Sequence, residues 1–337
     1  MNRKIKAAAA LVAAGVLALS GCSSDAASSD NELNLVGYSV LEQANAGVIK
    51  AFEATTPGKD VTFKESYGAS GDQARAVIAG QKADLVHLSL EPDVQKLVDE
   101  GLVADDWKNN ATKGICTSSI VVMVVRTGNP KNITKWSDLT QPGIGIVTPN
   151  PASSGSAKWN LLAAYGSILG DGGTEADAQA YMKDFFGNIA ALPDSGRDAT
   201  TAFTSGTGDV LLSYENEAIL ARQSGTDFDY IIPDSTLKIE NPCAVTTDAA
   251  NATDANAFLD FQKSAEGQKL YAETGYRPLV DVGSVTVAGA NDEANPFPEP
   301  AKLLTIDADF GGWADANTKY FDETDGILTK IQADSSQ

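Results

Sequence analysis

The sequence predicts an α/β fold: two doubly wound lobes facing each other across a ligand cleft. Three observations carry this. Short apolar strands alternate with helical segments along most of the chain, which implies parallel sheets covered by helices on both faces. The alternation comes in two runs, the second inserted between Val125 and Cys243. Three Ser/Gly turns, at 68–71, 153–156 and 195–197, stand where strands lead into helices. In open α/β sheets such loops lie at the carboxyl ends of the strands, where ligands bind.

The 337 residues begin with a leader. Arg3, Lys4 and Lys6 precede an apolar run, Ala7 to Leu19, too short to span a bilayer comfortably. Leu19-Ser20-Gly21-Cys22 closes it, so residues 1–21 read as a secretory signal peptide. The ending resembles the lipobox of bacterial lipoproteins, which implies lipidation of Cys22; a plain signal peptide is the alternative. Residues 22–32, rich in Ser, Ala and Asp, read as a lipidated tether. The body would then stand on the outer face of the cytoplasmic membrane, held by the lipid alone.

Residues 33–125 with 244–285 form the expected first lobe. Strands are expected at Leu33–Tyr38, Val61–Phe63 and Asp84–Ser89, and helices at Ala46–Ala54, Asp72–Gln81 and Pro92–Glu100. Pro57-Gly58 and Gly101 supply stops, and Pro92 sits in a first turn. Ser118–Arg126 is the longest β-branched run, long enough to pass between lobes. Residues 126–243 form the expected second lobe. It holds helices over 154–169 and 175–187, a helical segment from Thr200 to Ser205, a strand at Asp209–Tyr214, a helix over 217–223 and a strand at Phe228–Ile232. Cys243–Thr247 is the expected return crossing, followed by helices near 253–264 and 265–274. Residues 286–337 end in one helix reaching about Ile331, and their lobe is left open.

The stretch Thr148–Asn160 carries the clearest chemistry. Gly145-Ile146-Val147 reads as a buried strand, two prolines delay the helix, and Ser153 or Ser154 caps it. The first amides of such a helix have no partner within it, and the helix dipole adds partial positive charge. Gly155 allows close approach to the backbone, and no acid stands between Thr148 and Asn160. This makes a candidate anion site; the alternative is an ordinary capped helix.

Acidic residues outnumber basic ones by 45 to 25, giving a net charge of −20, or −23 once the leader's three cations are gone. Such a balance argues against nucleic acid as a partner. It does not exclude a small anion, because long-range charge governs encounter while groups at contact govern affinity. With Cys22 assigned to lipid, Cys116 and Cys243 remain. In an exported chain this suggests one disulfide, each cysteine lying just before a crossing run; two buried free thiols are the alternative.

The motifs resemble those of bacterial periplasmic sulfate-binding proteins, the solute receptors of sulfate/thiosulfate ABC importers. They are Gly68-Ala69-Ser70-Gly71, Thr148-Pro149-Asn150-Pro151 with Ser153-Ser154-Gly155, Asp194-Ser195-Gly196, Gly208–Leu212 with Glu215-Asn216-Glu217, Tyr276-Arg277-Pro278 and Phe310-Gly311-Gly312-Trp313. The likeness covers roughly residues 33 to 331. It implies the hinged two-lobed periplasmic binding-protein fold (type II-like), sulfate buried between lobes without a counter-charge in contact, no cofactor, an ABC permease as partner and a monomer. It also implies anion donors: the Ser70 amide, the Ser154 hydroxyl, the Gly155 amide and, where the family has a second glycine, the amide of Ser156. In the third turn, where the family reads Ser-Gly-Ala-Arg-Gly, this chain is one residue shorter; the donor is the amide of Gly196 or of Arg197, with Arg197 preferred. Where the family has a tryptophan before Glu-Asn-Glu, this chain has Tyr214, which takes its place as a side-chain donor.

Sulfate accepts hydrogen bonds and donates none near neutral pH, so a site built for it holds donors only. Phosphate keeps a proton and calls for an acceptor, which Asp72 or Asp198 would supply if either turned inward rather than capping its helix. Phosphate or molybdate is therefore the alternative ligand, and thiosulfate a possible second one. An exported phosphatase or sulfatase is the enzyme alternative, and a lipid-anchored adhesion module a third class. The enzyme has little support. The single histidine, His87, lies in an apolar strand run and reads as core. No metal-ligand spacing occurs, and no Gly-x-Ser-x-Gly elbow surrounds Ser156.

Overall fold

The computed structural model describes residues 31–335; the leader, Cys22 and most of the tether lie outside the described residues. The first run is β1 (Glu32–Tyr38), α1 (Leu41–Glu53), β2 (Thr62–Gly68), α2 (Ser70–Ile78), β3 (Leu85–His87) and α3 (Glu91–Asp99). β1 pairs in parallel with β2 on one side and β3 on the other. An eleven-residue strand, β4 (Ile115–Val125), leads into the second run. That run comprises a 3-10 turn at Trp136–Thr140, β5 (Ile146–Val147), α4 (Gly155–Gly170), α5 (Glu175–Gly187), β6 (Ile189–Ala191), α6 (Gly196–Thr204), β7 (Val210–Tyr214), α7 (Glu215–Gln223) and β8 (Asp229–Ile231). β5 is parallel to both β6 and β7. Then come β9 (Ser235–Val245), α8 (Ala252–Lys263), α9 (Ala265–Glu273), β10 (Lys302–Leu304), α10 (Ile306–Phe310), α11 (Trp313–Phe321) and α12 (Ile327–Ser335).

The strand order is β2-β1-β3-β9-β4-β7-β5-β6, with β10 beside β9 and β8 beside β4. Two parallel groups are thus joined through one antiparallel pair, β4 and β9. The first part of β4 pairs with β9, from Ile115 opposite Pro242 to Ile120 opposite Lys238. Its last five residues, Val121 to Val125, pair with β7. The end of β9 pairs with β3. β4 is buried along nearly its whole length, through the polar Thr117–Ser119 and the apolar run Ile120–Val125. Cys116 on β4 and Cys243 on β9 form a disulfide across this pair, with Cα atoms 5.8 Å apart.

Several elements differ from the sequence reading: α1 starts at Leu41 rather than Ala46, β2 runs on to Gly68, β6 is an unexpected strand, and α6 starts at Gly196 rather than Thr200. β9 starts at Ser235, eight residues before the expected return crossing. Its polar residues and Pro242 hide the strand pattern, yet Thr236 and Asn241 are fully buried because their side chains are paired inside. The single expected last helix is two, α11 and α12, separated where Asp322 accepts from the amides of Thr324 and Asp325. The C-terminal elements pack on α4, whose buried faces go almost all the way round. Trp313 meets Trp159 edge-on at 4.7 Å, and Tyr320 meets Tyr165 at 5.0 Å.

Candidate functional site

The three Ser/Gly turns meet at one place. β1, β2, β3, β5 and β6 deliver their carboxyl ends there, and α1, α2, α4 and α6 begin there. The amide of Gly71 donates to the Ser153 carbonyl at 3.0 Å, and a Cβ at Gly71 would lie 2.9 Å from that oxygen. Only glycine lets these two turns touch. The Ser153 hydroxyl in turn donates to the Asp194 carbonyl at 2.8 Å, tying the second turn to the third.

Between the turns lies a small cavity. It is lined by Tyr38, Ser39, Val40, Ala69, Ser70, Ser89, Ser154, Gly155, Ser156 and Gly196. None of these is charged. Ser70, Gly155 and Gly196 are the first residues of α2, α4 and α6, so their amides have no carbonyl to reach within the helix. The helix dipoles add positive potential at the same point. The Ser154 hydroxyl makes no capping bond to its own helix, which leaves it for the cavity. The Ser70 hydroxyl, by contrast, is committed: it accepts from the Ser89 amide at 2.9 Å and donates to Asp93 at 2.7 Å.

The acids near the turns are occupied elsewhere. Asp72 pairs with Arg75 on the surface. Asp198 accepts from the Ser195 hydroxyl at 2.7 Å, while its own amide donates back to that hydroxyl, the N-cap of α6. Asp93 is buried between Ser70 and Lys96. His87 is fully buried in β3, and burial lowers its pKa to about 3. Among the described residues no group of three or more His, Cys, Asp or Glu is placed to hold a metal, and no helix is long and apolar enough to cross a membrane.

Of the six expected anion contacts, Ser70, Ser154, Gly155 and Ser156 line the cavity; Arg197 and Tyr214 do not. Ser195 is the cap, so the amides of Gly196 and Arg197 both lack a partner within α6, and Gly196 lines the cavity. The Arg197 side chain turns away, its guanidinium 3.1 Å from the buried carboxylate of Glu217. Beside Tyr214 stands Ser89. The Tyr214 phenol is wholly buried and lies 2.7 Å from the Ser89 hydroxyl, and burial pushes its pKa up. Sequence reasoning missed Ser89, treating it as the last residue of a core strand. The available signal was its place just beyond the carboxyl end of β3, a position that faces the ligand in such sheets.

The motif residues outside the cavity brace it. Arg277 donates from Nε to Glu215 at 2.7 Å and from Nη2 at 3.1 Å, a buried bidentate pair. Its amide donates to the Ser118 carbonyl of β4 at 2.9 Å.

Residues 33–277 match the model of the bacterial extracellular solute-binding protein family. The chain belongs to that family. It is 39% identical to the sulfate-binding protein of Synechococcus elongatus, over 98% of this chain and 97% of the relative. It is 33% identical to the thiosulfate-binding protein of Pseudomonas aeruginosa, over 93% and 94%. Among solved structures, the sulfate-binding protein SubI of Mycobacterium tuberculosis superposes with a TM-score of 0.81 at 45% identity, covering 87% of this chain and all of that one. The family member described here is therefore a solute-binding protein of the periplasmic binding-protein fold and not an enzyme.

Proposed function

We propose that this protein is a lipid-anchored extracytoplasmic receptor that captures sulfate in the cavity between its turns and delivers it to an ABC importer. One observation carries the reading: an uncharged lining at which α2, α4 and α6 begin with amides unpaired within the helix, and a serine hydroxyl that makes no capping bond beside them. Hydrogen bonds to a charged partner contribute about 1.5–3 kcal/mol each, so several of them offset the desolvation of a dianion without a salt bridge. The names of the relatives support sulfate as the first ligand and thiosulfate as the second.

The two parallel strand groups would be the two lobes, divided within β4 and β9, and closure would be a hinge motion at that antiparallel pair. The permease would accept the closed form of a monomer. Cys22 would carry the lipid, leaving the body outside the cytoplasmic membrane. Titration calorimetry with sulfate, thiosulfate, molybdate and phosphate tests the ligand: sulfate or thiosulfate binds most tightly. Tighter binding of phosphate would defeat the reading, and so would hydrolysis of a sulfate or phosphate ester. Mass spectrometry of the membrane-extracted protein tests the anchor, since an unmodified Cys22 would remove it.

A further inference from the structure

We propose that the Ser89 hydroxyl is a direct donor to the bound anion, and that Tyr214 is the positioning residue that aims it. The inference rests on the sulfate-receptor reading and adds a specificity-determining residue to its site. Ser89 lines the cavity and is held on every side. Its amide donates to the Ser70 hydroxyl, and its carbonyl accepts from Trp159 Nε1 and Asn241 Nδ2, both at 3.0 Å. Its Oγ is within 2.7 Å of the Tyr214 phenol.

The proposed direction of that last bond, from the phenol to Ser89 Oγ, fits the groups behind it. A carbonyl accepts only, so the Asn241 atom facing the Ser89 carbonyl is its amide nitrogen. The Asn241 oxygen therefore faces Tyr38 and Thr117, and accepts from their hydroxyls at 3.0 and 3.2 Å. With the Thr117 hydrogen spent there, the 3.2 Å contact to His87 Nε2 makes that nitrogen a donor. The other ring nitrogen, Nδ1, then accepts from Gln262 at 3.4 Å. Every member of the chain is consistent with one orientation. Asn241 and Ser156 also lie within hydrogen-bonding reach of the Tyr214 side chain. In the proposed arrangement the phenol gives its hydrogen to Ser89 Oγ, 2.7 Å away. Ser89 Oγ, already accepting, is left with its own hydrogen and the cavity to point it into. A buried chain polarised in one sense strengthens its terminal donor.

The consequence is a division of labour. Ser89 touches the anion, Tyr214 does not, and each depends on the other. Calorimetry on Ser89→Ala, Tyr214→Phe and the double variant separates the roles. Ser89→Ala is expected to weaken sulfate binding at least tenfold. Tyr214→Phe frees Ser89 to rotate and is expected to weaken it several-fold. The double variant is expected to be no weaker than Ser89→Ala alone, since Tyr214 acts only through Ser89. Losses that multiply in the double variant would make Tyr214 an independent contact and overturn the proposal. Unchanged affinity of a folded Ser89→Ala would overturn it too. A wild-type protein that binds none of the four oxyanions would instead defeat the receptor reading itself. A crystal structure of the wild-type complex decides the case without variants. Ser89 Oγ within about 3.0 Å of an anion oxygen is expected, whereas Tyr214 Oη in that position would refute it.

Discussion

Gly155→Ala tests the close packing of the site in one methyl group. A Cβ built on Gly155 lies 2.6 Å from Ser89 Oγ, 2.7 Å from Ser89 Cβ and 2.8 Å from Leu90 Cγ. Carbon atoms in contact prefer about 3.5–4.0 Å, so the Ser89–Leu90 segment must retreat by roughly 1 Å. It cannot retreat alone, because Ser70, Trp159 and Asn241 all bond to the Ser89 backbone. Overpacking of this kind costs about 1–3 kcal/mol of stability. The cost to binding is separate: the shift withdraws Ser89 and crowds the first amide of α4. Losing one charge-assisted donor costs about 1.5–3 kcal/mol, on the order of a tenfold to hundredfold loss in affinity. Calorimetry with sulfate reads the second effect, and thermal unfolding without ligand reads the first. A Gly155→Ala protein that binds sulfate like wild type would show that neither Ser89 nor this amide meets the anion.

Three further predictions concern stability. His87 has a folded-state pKa of about 3 against an unfolded value near 6.5, so below pH 6.5 the unfolded chain takes up a proton that the folded one refuses. Stability falls as the pH drops through that window, by about 2 kcal/mol between pH 6.5 and pH 5 from this residue; denaturant titrations of wild type and His87→Gln that show equal slopes would refute this. Arg277→Met strands the buried Glu215 carboxylate and is expected to cost about 3–5 kcal/mol, much of it recovered in Arg277→Met/Glu215→Leu; a single variant as stable as wild type would contradict the buried pair. The Cys116–Cys243 bond closes a loop across a separation of 127 residues, worth about 4–5 kcal/mol in the chain-entropy model. Thiol titration of the denatured, unreduced protein should find neither of these cysteines free.

Much of the fold was legible because strand–helix alternation and helix stops are local signals. The helix expected at 175–187 matches α5 to the residue, and Thr174 and Asp177 form a capping box at its start. β4 is legible because its second half, Ile120–Val125, is an apolar, mostly β-branched run. β9 was only half visible: it carries Asn241 and Pro242, and what makes them tolerable is the set of distant partners that satisfies Asn241. The convergence of the three turns was readable from the strand-end rule. Which amide of the third turn faces inward was not, because it depends on whether Ser195 or Gly196 caps α6. The Tyr214 position was legible as a strand end. Its reach was not, because the intervening Ser89 comes from another strand more than a hundred residues away.

The most direct test of the account is sulfate affinity measured by calorimetry at fixed ionic strength from pH 5 to pH 8. The cavity offers amides and hydroxyls, the ligand is fully ionised throughout, and His87 stays neutral across the window. The affinity is therefore expected to be nearly flat, and phosphate to bind far more weakly at every pH. A tenfold change across the window, about 1.4 kcal/mol, would put a titrating group against the anion and contradict the uncharged, donor-only site.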